Sequence, residues 1–234
     1  YEYITGYDFE SDDDYKDFTA INLISTHNTA MDDENEKIYI PSMETVASDI
    51  FTKDHVGTKA SDDAIIDNVH LTNLGPKEKY MLVETLMDEE TGEVFDTKTV
   101  TSSFYSNRPE DNHVASRDVE MPAFDVDSSI FSAKTLVVYE ELWRVDDANQ
   151  KLDQFPVVTH KSIVDEEQSI HFISIDTTAE DIHTTDHVGE ITSQTTITDA
   201  VALDNLIPGM EYTIKGEYVY REDCTDANGT AHKA

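Results

Sequence analysis

Ala64-Ile65-Ile66-Asp67-Asn68-Val69-His70-Leu71 carries apolar residues at every second position and reads as a half-buried β-strand. Part of it returns later in the chain. Asp67, Val69, Leu71, Asn73-Leu74 and Pro76 recur as Asp199, Val201, Leu203, Asn205-Leu206 and Pro208, each 132 residues on. Asp54-His55-Val56-Gly57 recurs at the same offset, without a gap, as Asp186-His187-Val188-Gly189. A period that long is a whole domain rather than a solenoid unit, so the chain reads as a piece of a tandem array.

The repeat also runs backwards. His160-Lys161-Ser162-Ile163-Val164-Asp165-Glu166-Glu167-Gln168 echoes His27-Asn28-Thr29-Ala30-Met31-Asp32-Asp33-Glu34-Asn35, and Tyr139-Glu140 resembles Tyr1-Glu2. Residues 1–37 are therefore expected to be the last strands of one domain, 38–172 a complete domain, and 173–234 the first strands of the next. No Gly, Pro or Ser-rich linker separates Gln168-Ser169-Ile170-His171-Phe172 from Ile173-Ser174-Ile175. The units should be joined end to end, and stiffly.

A formal net charge of −34, from 16 basic and 50 acidic residues, argues against a nucleic-acid partner, whose phosphates would be repelled. It suits the solubility and mutual repulsion of an extended fibre; cation binding and life in high salt are the alternatives. Hydrophobic residues at 38% and 11 tyrosines argue against global disorder. One cysteine, Cys224, excludes a disulfide framework inside this segment. No apolar run is long enough to span a membrane.

Other strands are read at Lys79–Leu86, Thr97–Phe104, Ala133–Trp143 and, as one run, Gln168–Ile175. Turn signals stand between them at Asn73-Leu74-Gly75-Pro76, Glu90-Thr91-Gly92, Asn107-Arg108-Pro109 and Asp146-Asp147-Ala148-Asn149. No stretch has a clean helical period. The expected fold is all-β: tandem immunoglobulin-like sandwiches, one complete and two partial.

Several polar residues fall in phase with apolar ones. Asp67 is in phase with Ile65, Val69 and Leu71, Glu140 with Leu136, Val138 and Leu142, Gln168 with Ile170 and Phe172, and Thr45 with Met43 and Ala47. The third unit repeats two of these as Thr177 and Asp199. A buried carboxyl is costly unless it is bonded or neutralised, so four such placements suggest that the residues meet.

These residues carry a resemblance. The stretches Thr45-Val46-Ala47-Ser48-Asp49, Ile66-Asp67-Asn68-Val69, Glu84 through Gly92, Leu136 through Leu142 and His160 through Gln168 resemble the T-Q ester-bond (VaFE-type) immunoglobulin-like repeats of Gram-positive surface adhesins. The resemblance covers 38–172 and 173–216. It implies a spontaneous intramolecular ester between Thr45 and Gln168, with His160 as base and Asp67 and Glu140 beside the Gln carboxamide. It also implies a cell-surface structural fibre that is not an enzyme in the usual sense and needs no cofactor. Its partners would be neighbouring repeats, with any host ligand bound elsewhere in the array. Glu2, His27 and Asn35 are the equivalents in the leading fragment. Asn35 is one methylene shorter than Gln168.

The isopeptide class of adhesin domain would need a core-facing Lys on a first strand, whereas Lys53 and Lys59 sit in polar loop sequence. A ligand-binding sandwich without a cross-link is the other alternative. His183, Asp186 and His187 lie close enough for a metal, but a solvated loop is the simpler reading. Ser11-Asp12-Asp13-Asp14, Asp32-Asp33 and Asp146-Asp147 lack the spacing of a Ca²⁺ loop. Asn228-Gly229-Thr230 is a formal glycosylation sequon.

Overall fold

The computed structural model describes residues 38–75, 78–102, 116–189, 194–226 and 228–233, together with the backbone of 2–5 and 23–27. Among these residues the regular structure is strand, with two short 3₁₀ turns at Ser128–Ile130 and Glu166–Gln168. The chain is all-β.

The central unit is a sandwich of two antiparallel sheets. In the first, β3 (Ser42–Asp49) pairs with β4 (Asp63–Thr72), whose other edge takes β7 (Arg117–Glu120) and β8 (Phe124–Val126). In the second, β5 (Lys79–Asp88) lies between β6 (Val94–Ser102) and β9 (Lys134–Val145). The far edge of β9 is shared by two short strands, β10 (Val158–His160) and β11 (Ser169–Phe172).

Period two built this arrangement. On β4, Ile65, Asp67, Val69 and Leu71 face inward and are buried; on β5, Tyr80, Leu82, Glu84 and Leu86 do the same. The strand expected at Thr97–Phe104 begins earlier, at Val94, and is described as far as Ser102; Asn107-Arg108-Pro109 lies outside the described residues.

The run expected as one strand, Gln168–Ile175, is instead three pieces. Gln168 closes the 3₁₀ turn, β11 ends at Phe172, and β12 (Ser174–Asp181) belongs to another sheet. The break has a local cause. Asp165 caps the turn by accepting from Glu167 N at 3.1 Å, and its carbonyl accepts from Gln168 N at 3.0 Å. That pulls the chain off β9 for the residues between His160 and Ser169.

The core is split. Ala47, Ile65, Leu86, Phe124, Leu136, Val138, Ile170 and Phe172 pack in one cluster. Val69, Leu71, Tyr80, Leu82, Val119 and Leu142 pack in a second. Between them each inner strand supplies one acid: Asp67 on β4, Glu84 on β5 and Glu140 on β9.

The repeated Asp-His-Val-Gly stretch clamps the last strand. His171 N donates to His55 O at 2.7 Å, and Gly57 N donates to His171 O at 2.9 Å. A Cβ at Gly57 would stand 2.3 Å from the Phe172 ring, so only glycine fits.

The flanking segments keep the same registers. β12 pairs with β13 (Ile197–Asp204), setting Thr177 opposite Val201 and Ala179 opposite Asp199. In the central unit Thr45 stands opposite Val69 and Ala47 opposite Asp67. β1 (Glu2–Thr5) pairs with β2 (Leu23–His27) so that Glu2 faces His27, as Glu140 faces His160. A small hairpin, β14 (Cys224–Thr225) with β15 (Ala231–His232), closes the described chain.

Candidate functional site

Thr45 sits on β3, the edge of the first sheet, and Gln168 sits where the edge of the second sheet is interrupted. The two edges adjoin, and the side chains meet although 123 residues separate them. The Gln168 carboxamide Nε2 donates to Thr45 Oγ1. Both residues are at least 97% out of water, with Thr45 at 3% and Gln168 at 1% exposure.

The Thr45 hydroxyl has a second partner. His160, at the end of β10, places Nδ1 3.1 Å from Thr45 Oγ1. Its other nitrogen, Nε2, lies 2.6 Å from Asp165 Oδ2. A carboxylate can only accept, so Nε2 carries the proton and Nδ1 presents its lone pair to the hydroxyl. Thr45, His160 and Asp165 thus stand in series as hydroxyl, imidazole and carboxylate, the order that a nucleophile, its base and an orienting acid require.

The three acids form the floor of the site. Glu84 and Glu140 are directly opposed on β5 and β9, and Glu140 Oε2 is 3.7 Å from His160 Nδ1. Burial, then the charges of neighbouring acids, pushes Glu84 up to about 10 and Glu140 up to about 11. Burial also raises Asp67, while its contacts with Glu84, Glu140 and Gln168 work against that rise. No oxygen of the three makes a well-aligned hydrogen bond, nor does Gln168 Oε1. Protonated acids around a carboxamide are donors available to negative charge developing on it.

The family model for the T-Q ester bond containing domain matches residues 41–172 and again 173–234. The chain belongs to the T-Q ester bond containing domain family. Among solved structures it is similar to a bacterial adhesin from Mobiluncus mulieris containing intramolecular disulfide, isopeptide and ester bond cross-links. In one crystal form of that adhesin the TM-score is 0.44 at 15% identity, covering 70% of this chain and 76% of that chain. In a second form it is 0.42 at 14%, with the same coverage. A Bacteroides uniformis β-glucuronidase gives 0.34 at 11%, over 56% of this chain and 13% of that one. No curated protein matches.

All five residues singled out within the matched segment 41–172 converge: Thr45, Asp67, Glu140, His160 and Gln168. Among the described residues the equivalents elsewhere are not brought together as these five are. Thr177 and Asp199 hold the right register but are exposed on β12 and β13. Glu2 and His27 are paired strand to strand, and Asn35 lies outside the described residues.

Sequence reasoning passed over two residues. Glu84 is in phase with Leu82 and Leu86, the same signal that marks Asp67, and the third unit has Gly216 in its place. Asp165 follows His160 by five residues, as Asp32 follows His27.

His183, Asp186 and His187 do not converge on a point. Asp181 instead caps their loop through His183 N at 2.8 Å, and among the described residues no three metal-ligating side chains cluster. Asp146 is likewise a turn cap, accepting from Ala148 N and Gln150 N.

Proposed function

We propose that Thr45 and Gln168 join in a spontaneous intramolecular ester, and that the chain is a segment of an extracellular adhesin stalk built from such units. The observation that carries this reading is the buried Thr45 hydroxyl, held between the His160 base and the Gln168 carboxamide.

The step balances without a co-reactant. His160 Nδ1 takes the hydroxyl proton as Oγ1 bonds to the Gln168 carbonyl carbon. The oxyanion is stabilised by the acids beneath it. The C–N bond then breaks, and the proton held by His160 leaves with the amino group as ammonia. Escape of ammonia and exclusion of water protect the ester. Each chain reacts once, so the reaction is self-modification rather than turnover.

The division into 1–37, 38–172 and 173–234 belongs to this reading, as do neighbouring repeats as partners. Lys134 does not favour an isopeptide. It lies against Asp88, whose burial raises its carboxyl, but the Lys134 ammonium and Thr91 N–H outweigh that and hold it below its ordinary value. An Asp88 carboxyl held in its ionised form is a poor acyl donor to an amine.

Intact-mass measurement on the full chain tests the proposal. The expected result is loss of one ammonia, with Thr45 and Gln168 peptides joined by a base-labile bond, and full mass in Thr45→Ala. The calculated mass in folded wild-type protein would overturn it.

A further inference from the structure

Only Ile173 separates β11 from β12. A one-residue connection is short, but its φ and ψ can still turn, and relative motion of neighbouring units is the default unless further contacts hold them. The described residues contain a second connection, made by Asn205.

Asn205 follows β13 in the left-handed region, with φ at 63°. Asp204 Oδ1 accepts its backbone N–H at 2.9 Å. From there its side chain reaches the preceding unit. Nδ2 donates to Lys134 O at 3.0 Å and to Phe172 O at 3.4 Å, and Oδ1 accepts from Thr135 Oγ1 at 3.1 Å. Lys134 and Thr135 begin β9, and Phe172 ends β11. One amide therefore bridges both strands that close the central unit. Thr135 Oγ1 also lies 3.2 Å from His171 Nδ1, and His171 Nε2 lies 3.0 Å from Glu166 Oε2 in the turn that carries Gln168.

The same residue does part of this work one repeat earlier. Asn73 stands 132 residues before Asn205, has φ at 54°, and donates Nδ2 to Ile40 O at 2.7 Å. Ile40 holds the place of Phe172 at that offset. In both units the Asn reads the carbonyl just before its own first strand. At 205, where the preceding unit is described, it also takes hold of β9.

We propose that Lys134, Thr135 and Phe172, backed by His171, form a docking surface for the following repeat of the same chain, and that its Asn locks the joint at a fixed angle. The surface suits an amide: two carbonyls require a donor, and the Thr135 hydroxyl donates to the amide oxygen. An Asp there would set a carboxylate against two carbonyl oxygens. This inference rests on the tandem-repeat reading and not on the ester.

The full chain supplies its own probe site, since Cys224 is its one cysteine and is exposed. A second label at Asp147→Cys, near the far end of the central unit, allows a distance distribution across the joint by pulsed electron spin resonance. A narrow distribution is expected with Asn205 in place, and a broadened one in Asn205→Asp. Thr135→Val, which leaves the third unit untouched, should also broaden it. A broad distribution before any substitution, or an unchanged narrow one in both variants, would overturn the proposal. Intact mass on the same samples reports the ester separately.

Discussion

Glu84 and Glu140 face each other across β5 and β9 with both side chains wholly buried. Two carboxylates cannot share that position in a dry layer, so the folded chain keeps protons there that the unfolded chain releases above the ordinary value of 4.5. The sign follows. Below 4.5 both states are protonated and nothing is lost. As pH rises from 4.5 toward about 10, the unfolded state binds fewer protons than the folded one, and stability falls. In denaturant titrations of Thr45→Ala, each such acid is expected to contribute a slope of up to about 1.4 kcal/mol per pH unit. Adding Glu84→Gln should remove one share; an unchanged slope would contradict the assignment.

The three acids should not be equivalent in bond formation. Asp67 contacts the Gln168 carboxamide and Glu140 stands beside His160, whereas Glu84 acts on Asp67. Asp67→Asn and Glu140→Gln are expected to leave chains at full mass. Glu84→Gln should still lose ammonia, because an amide can donate to Asp67 as the protonated acid does.

Asp165→Asn leaves the 3₁₀ turn a capping side chain but weakens control of the His160 tautomer. Ester formation should slow by roughly 10²-fold or more, the scale of general-base assistance. Time-resolved intact mass after refolding the uncross-linked variant measures it, and a wild-type rate would remove Asp165 from the series.

Gly57→Ala drives a methyl group into the Phe172 ring. A loss of about 1–3 kcal/mol is expected from this overpacking, read as a lowered denaturation midpoint. Since Gln168 immediately precedes the short strand that Phe172 ends, the cross-linked fraction should fall with it.

By removing the proposed ester, Thr45→Ala should also release a constraint on the unfolded chain. Closing a loop of 123 residues is worth about 4–5 kcal/mol on the entropic model. That corresponds to a drop in melting temperature of roughly 10–20 °C, read by calorimetry against the wild type.

Much of this was legible because a strand records burial residue by residue. Asp67, Glu140 and Thr45 declared themselves by standing in phase with neighbours that had to be inside. The repeat offset carried register, which is why Thr177 pairs with Val201 as Thr45 does with Val69, and Asp199 with Ala179 as Asp67 does with Ala47. Gln168 was found with the right neighbours on the wrong element, since one turn of 3₁₀ leaves little trace in a period-two pattern. Asp165 was hidden for a related reason: its task depends on how a loop folds back on His160. Glu84 carried the same alternation signal as Asp67, but the strand at Lys79–Leu86 was not searched for polar residues in phase with its apolar ones.

The Thr45–Gln168 contact lies where the rims of the two sheets adjoin. An open rim is where a β-protein is most easily invaded, because unpaired backbone there accepts a strand from any passing copy. With the proposed ester between Thr45 and Gln168 in place, β3 and β11 could not part far enough to exchange with a neighbour. Molecules crowded side by side would then be barred from domain swapping by covalent connectivity itself, whatever the salt or acidity of the medium does to their mutual repulsion.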